Sequence, residues 1–355
     1  MSNWKRRLGQ NPGPMGRLSV VVVSTIALNL TSCTTPSPST PSESPGSQAP
    51  PVTTGEALQV VTTFLPITQF TTAVAGDRAE VTQLLPPHVG PHDYQAKPAD
   101  AQNLAQADVL VKNGLEIETF LEDLVKNAGN PSLKVIDSSQ GVRTITTAAI
   151  AADDHDPDHG HSHHPTGEKP EVGHDHQHGL YNPHIWLDPK RAIQQVENIR
   201  DGLVAADPEG REIYAANAAA YIQQLQELDA ETTQLLQPFA GKTFVAFHDV
   251  APYFAESYNL TATFLVDVPE ENPSPEDVKR VMDTVRTTHL KTLLADSQAS
   301  QGGLASLAKD LKVQVSIFDP IETGGPEAGQ PDDYLTTMRQ NVKALVSAFT
   351  GHHQP

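Results

Sequence analysis

Cysteine occurs once in the 355 residues, at Cys33. A lone thiol closes no internal disulfide, so a folded, exported domain must be held together by its core. Positive charge is scarce as well: 24 Lys and Arg stand against 43 Asp and Glu, for a formal net charge of −19. Lys5, Arg6, Arg7 and Arg17 are the only charged residues before Cys33, so the chain beyond them carries −23. Nucleic acid and anionic lipid head groups are poor partners for such a surface, whereas cations are attracted to it. The apolar run from Leu18 to Leu30 is too short to span a membrane. No H-E-x-x-H helix is present, nor a carboxylate at helical spacing from paired histidines, so a zinc hydrolase would lack its general base. No sequence repeat links the two halves of the chain.

What is present begins with a leader. Four basic residues, the short apolar run and small residues before Cys33 are the parts of a secretory signal peptide, here 1–32. Leu30-Thr31-Ser32-Cys33 resembles the bacterial lipobox, which would make Cys33 the lipidated first residue of the mature protein; a plain signal peptide with an incidental cysteine is the alternative. Residues 33–55 are rich in Pro, Ser and Thr and bury too little apolar surface to fold, so they read as a tether between lipid and domain.

Histidine is concentrated where little else is. His155, His159, His161, His163, His164, His174, His176 and His178 crowd a stretch, 153–178, that is interleaved with aspartate and has no hydrophobic period. This is the composition of a solvated loop able to take divalent metal at several weak, interchangeable sites, because tight zinc needs four fixed ligands. A purification tag would sit at a terminus.

From Leu58 onward, β-rich runs alternate with longer helical ones, the signature of α/β architecture with parallel sheets. Strands are expected at 58–64, 81–85, 108–112 and 133–137, and again at 242–247, 261–266, 291–295 and 313–318. Four and four imply two lobes, 56–207 and 238–355. Between them 208–237 reads as one long helix, ~40 Å by the rise per residue, with a stripe at Tyr214, Asn217, Tyr221, Leu225, Leu228, Thr232 and Leu235. An ordinary core helix within one domain is the duller reading.

Candidate ligands lie just after these strands or in irregular segments beside them. They are His92 in PPHVGPHDYQ, His184 in NPHIWLD, His248 closing TFVAF and Asp319 closing VSIF. Ligands of open α/β sheets gather beyond the carboxyl ends of the strands, so these four could converge; three imidazoles and a carboxylate suit zinc. Asp296 could orient one of the histidines from behind. Each has a structural alternative: His248 as a buried strand-end histidine, Asp319 before Pro320 as a turn former, His92 as a solvated loop residue. His88 is a weaker candidate, His289 reads as a helix-surface residue, and His352 and His353 lie in the tail.

The lipobox, PPHVGPHDYQAKPAD, NPHIWLDP, FHDVAPYFAESYNL and PSPEDVKRVMD together resemble the metal-binding receptor lipoproteins of bacterial ABC importers for zinc and manganese, and most closely their zinc branch. The resemblance covers residues 56–350. It implies two lobes, each a four-stranded parallel sheet flanked by helices, bridged by one rigid helix. It also implies His92, His184 and His248 as ligands, with Asp319 or a water as the fourth. Manganese members carry a glutamate at the third position, so His248 points to Zn²⁺. The His-rich loop is a trait of zinc members. Ala251 and Pro252 replace an aromatic and a glycine of relatives, His88 stands where a glycine is common, and the disulfide of some zinc relatives cannot form. The function implied is a monomeric, lipid-anchored, extracytoplasmic Zn²⁺ receptor that serves an ABC permease, does no chemistry and binds no nucleic acid. A manganese or iron receptor, a zinc hydrolase and an adhesin are the alternatives.

Overall fold

The computed structural model describes residues 57–92, 94–147, 179–266, 273–296 and 303–351. The leader, Cys33, the tether, the loop histidines from His155 to His178, and His352 and His353 lie outside the described residues.

Strands form where the β-rich runs fall. In the first lobe β1 (Leu58–Thr62), β2 (Ala79–Gln83), β3 (Val109–Lys112) and β4 (Lys134–Asp137) pair in parallel in the order β2-β1-β3-β4. Val60, Val61, Val109, Leu110 and Val111 are all buried, the near-continuous apolar reading of a parallel sheet covered by helices. In the second lobe β5 (Thr243–His248) pairs with β6 (Thr261–Val266), and β7 (Thr292–Ala295) with β8 (Gln314–Ile317), again in parallel. β5 lies beside β7, so the order is β6-β5-β7-β8, the same permutation as in the first lobe. Ladder hydrogen bonding does not continue from β5 to β7, and Val245 of one and Leu293 of the other belong to one apolar cluster.

The helices of the first lobe are α1 (Leu65–Ala75), α2 (Pro98–Gln106), α3 (Leu121–Ala128) and α4 (Pro189–Ala206). Asp188 caps α4 by accepting from Lys190 N–H, with Pro189 at its first position. Gly202 lets α4 press onto β4: a Cβ there would come within 2.5 Å of Ile136.

The long helix is α5 (Arg211–Leu236), entered through a 3₁₀ turn at Pro208–Gly210 and left through another at Gln237–Phe239. Its buried residues are Tyr214, Ala218, Tyr221, Leu225, Leu228, Thr232 and Leu236. Alternating steps of four and three average 3.5 and drift off a straight helix, which is why Ala218 and Leu236 are buried in place of Asn217 and Leu235. Leu235 is 47% exposed, and Asn217 instead donates from Nδ2 to Val74 O at 3.1 Å. α5 packs on α1, on α4 and on α9 (Pro331–Thr350). The shorter second-lobe helices are α6 (Pro252–Ser257), α7 (Pro275–Thr288) and α8 (Gly303–Leu311).

One apolar core runs from Val60 through Trp186 and Leu225 to Leu345, so both lobes and α5 share it. Edge-to-face pairs of Phe64 with Trp186 and Phe70 with Tyr334 sit within it. A smaller cluster around β5, β6, β7 and α7 belongs to the second lobe alone. A shared core of this extent resists wide hinge motion, because repacking it would expose apolar area at about 25 cal/mol per Å². Among the described residues no helix is long and apolar enough to cross a membrane.

Candidate metal centre

The carboxyl ends of the first sheet finish in polar residues that are nonetheless buried: Thr63, Asn113 and Ser138. Buried polar groups must be paired, and these are. Glu118 accepts from Thr63 Oγ1 at 2.8 Å, Asn113 N–H at 2.6 Å and Gly114 N–H at 3.1 Å. Burial pushes the Glu118 carboxyl up to about 7, against the pull of those donors. Asn113 Nδ2 donates to Pro183 O at 3.1 Å, and Gln195 Nε2 reaches both Asn113 Oδ1 and Ser138 Oγ. The sheet end is thus a platform under Pro183, and His184 follows it.

His184 is fixed from the side by Asn182. Asn182 Oδ1 accepts from His184 N–H at 3.0 Å and lies 3.0 Å from the ring Nδ1, leaving Nε2 to face the crevice. Asn182 Nδ2 donates to Asp249 O at 2.8 Å and Asp249 Oδ2 at 2.9 Å, and Tyr253 Oη donates to Asn182 O at 2.6 Å. The segment bearing His184 is therefore tied directly to the residue after His248.

His248 ends β5, and its Nδ1 lies 2.7 Å from Asp296 Oδ2 at the end of β7. Its buried Nε2 has no hydrogen-bond partner and faces Glu322 Oε1 at 3.5 Å. His92 lies on the irregular segment between β2 and α2. That segment is joined to the loop carrying Glu322 by Gly324 N–H donating to Pro87 O at 2.7 Å.

Glu322 Oε1 lies 3.2 Å from His92 Nε2, 3.3 Å from His184 Nε2 and 3.5 Å from His248 Nε2, and the Nε2 atoms of His92 and His184 are 3.3 Å apart. Donors about 2.0 to 2.2 Å from a tetrahedral metal stand about 3.3 to 3.6 Å from one another. Those four distances fall at that spacing, and the four side chains, with their ligand atoms all within 4.8 Å of one another, form the one metal-sized group of this kind among the described residues. His92 is the solvent side of the cluster, with a 17% exposed side chain, whereas that of His184 is 1% exposed.

Electrostatics differ from ring to ring. Burial lowers the His184 pKa, opposed by Glu322 and Asp249. Burial acts the same way on His248, but Asp296 and Glu322 together outweigh it and raise this ring well above its ordinary value. Glu322 would be raised by burial, yet the three histidines hold it well below the usual carboxylate range. The set offers imidazole nitrogens around a carboxylate that stays ionised.

Asp319 does not join this group, which corrects the expectation for the fourth position. Its Oδ1 accepts from Ile321 N–H at 2.8 Å, so it shapes a turn, and the chain needs three further residues before a carboxylate reaches the histidines. The signal for Glu322 was the Asp-Pro pair itself, a turn former that carries the next acidic residue of FDPIETGG past the strand end. His88 is exposed and lies outside the cluster, and His289 is the exposed left-handed cap of α7, at φ 55°.

A family model described as the zinc-uptake complex component A, periplasmic (ZnuA), matches residues 60–348. The chain belongs to the ZnuA family. That family comprises transport components rather than enzymes, and the hydrolase alternative falls with it. The zinc-binding protein AdcA of Streptococcus pyogenes serotype M3 is 32% identical over 303 residues, which are 84% of this chain and 57% of AdcA. This chain therefore spans little more than half the length of that relative. The manganese-binding lipoprotein MntA of Halalkalibacterium halodurans is 30% identical over 83% of this chain and 90% of its own. Among solved structures, the Zn(II)-bound ZnuA-like domain of Streptococcus pneumoniae AdcA superposes with a TM-score of 0.65 at 28% identity, covering 82% of this chain and 98% of that one.

Proposed function

We propose that the chain is an extracytoplasmic Zn²⁺ receptor that takes its cargo at His92, His184, His248 and Glu322 and hands it to the permease of an ABC importer. The observation that carries this reading is the convergence of three Nε2 atoms on one carboxylate oxygen at tetrahedral spacing. Nitrogen donors favour zinc over manganese, which prefers more oxygen ligands in an octahedral shell. Membership of the ZnuA family and the likeness to zinc-binding AdcA support zinc over the manganese specificity of MntA.

In this proposal Asp296 holds His248 in the tautomer that leaves Nε2 free, as carboxylates behind metal-binding histidines do. Residues 56–207 and 238–355 act as the two lobes and 208–237 as a rigid strut, with metal capture confined to local movement of the half-buried His92 segment. Cys33 carries the lipid anchor, 33–55 the tether, and the eight histidines of 153–178 an accessory low-affinity reservoir. The receptor works as a monomer.

The test is competitive zinc titration of the mature chain against a chelator of known affinity, with manganese as rival metal. One tight equivalent should survive deletion of 153–178, and it should vanish in the His184→Ala, His248→Ala double variant. Tight binding that persists in the double variant, or that disappears with the loop alone, overturns the assignment.

A further inference from the structure

The turn that delivers Glu322 is strained. Ile321 has φ 60°, in the left-handed region, although it is neither glycine nor asparagine and is only 2% exposed. For a β-branched residue this conformation is disfavoured, and such strain persists only where the surroundings over-determine it.

They do so here at four backbone atoms. Asp319 N–H donates to Asn341 Oδ1 at 2.7 Å, and Asn341 Nδ2 returns a hydrogen bond to Asp319 O at 2.7 Å. Trp186 Nε1 donates to Pro320 O at 2.8 Å, and Ile321 N–H donates to Asp319 Oδ1 at 2.8 Å. Asn341 is buried on α9 of the second lobe; Trp186 is buried two residues after His184 of the first. The turn is therefore gripped from both lobes, immediately before the residue whose Oε1 meets all three histidines.

Resting on the reading of Glu322 as a metal donor, we infer that Asp319, Asn341 and Trp186 are positioning residues. They hold Ile321 in its strained conformation so that Glu322 presents one oxygen at one place, and they thereby bias the site toward a four-coordinate metal. Released from the clamp, Ile321 relaxes out of the left-handed region and Glu322 swings with it. The three histidines then remain with a mobile carboxylate, free to offer both oxygens or to admit water, which suits a six-coordinate ion such as Mn²⁺ better than zinc.

The experiment compares zinc and manganese affinities of the mature chain in the wild type and in Asp319→Asn, Asp319→Ala, Trp186→Phe and Glu322→Gln, with thermal melts to confirm folding. Asp319→Asn keeps an oxygen acceptor for Ile321 N–H and should bind zinc within about threefold of wild type. Asp319→Ala should lose about 10- to 100-fold in zinc affinity, the usual size of an outer-shell effect, while manganese affinity falls less, so the zinc-to-manganese ratio drops. Trp186→Phe keeps an aromatic side chain but loses the N–H donor together with part of the indole volume beside Phe64 and His184; it should move the ratio the same way by several-fold, and with a thermal melt to confirm folding it carries the test if Asp319→Ala does not fold. An unchanged ratio in Asp319→Ala and Trp186→Phe overturns the inference. So does an Asp319→Asn variant as damaged as Asp319→Ala, since the charge rather than the turn would then matter. Glu322→Gln separates the two levels: if it binds zinc like wild type, the donor assignment itself fails, whereas a defective Glu322→Gln beside a normal Asp319→Ala sinks only the clamp.

Discussion

Each lobe contributes one deeply buried histidine to the centre, and the two are supported in opposite ways. Behind His184 stands the neutral amide of Asn182; behind His248 stands the carboxylate of Asp296. Burial is nearly the same, 1% and 5% exposed, yet His184 falls below its ordinary pKa and His248 rises well above it. Burial alone therefore does not set the basicity of a ring; the group across Nδ1 does. The first lobe offers a ring whose proton affinity burial lowers, and the second a ring whose proton affinity its carboxylate partner raises. Hydrogen bonding differs too, since Asn182 reaches across to Asp249 of the other lobe, whereas Asp296 serves its own.

The largest expected effect tests that contrast directly. Asp296→Ala should weaken zinc binding by about 100-fold, because it removes the charge that strengthens His248 and leaves a buried ring nitrogen unpaired. Asn182→Ala should cost about 10-fold in affinity, but it should also lower the melting temperature of the metal-free protein, since the bonds to Asp249 and His184 go together. Chelator competition and calorimetric melts on the two variants read both quantities. Were Asn182→Ala the more damaging for zinc, the amide would be more than a geometric support and the contrast between the lobes would break.

The sequence was most legible where residues repeat a physical pattern. All eight strands lie within a few residues of the β-rich runs. The central strands β3, β5 and β7 are buried and apolar along nearly their whole length, whereas β2, β4 and β8 are largely exposed and were legible from β-branched residues among polar ones. The long helix was equally plain from its periodic stripe, although the 3.6-residue turn moved two of its buried positions. The three histidines that the fold brings together could be picked out because each lies at a strand end or in an irregular segment within a distinctive motif. Glu322 escaped because its position depends on the path of a turn, fixed by Asn341 and Trp186 from distant parts of the chain. No local pattern encodes a conformation that tertiary contacts impose against preference. For the same reason nothing in the sequence separates the support of His184 from that of His248.

The lobes differ again in how each is fastened to the long helix. In the first lobe Arg78 makes a two-pronged pair with Asp207, the last residue before the helix's entry turn, Nε to Oδ2 at 2.7 Å and Nη2 to Oδ1 at 2.9 Å, and Tyr214 Oη of α5 fastens the helix by donating to the same carboxylate at 2.8 Å. Those contacts, the Arg78 bond foremost, hold Asp207 down to about 2 from an ordinary 3.8. Because the folded-state pKa is the lower one, the stabilisation is present above about pH 4 and is lost as pH falls through about 2. Asp207→Ala should therefore cost about 1–2 kcal/mol in denaturant melts at neutral pH, after allowance for solvent screening, and progressively less below pH 4. On the other lobe Arg339 meets Glu231 at 2.8 Å, with side chains 38% and 51% exposed. An exposed pair of this kind contributes about 0–0.5 kcal/mol, so Glu231→Ala should leave the melt almost unmoved. A Glu231→Ala loss as large as that of Asp207→Ala would mean that α9 depends on its ion pair. The outcome expected instead is that α9 is held by Tyr221, whose Oη donates to Pro331 O, and by the apolar residues Leu335, Met338 and Val342 that it buries in the shared core.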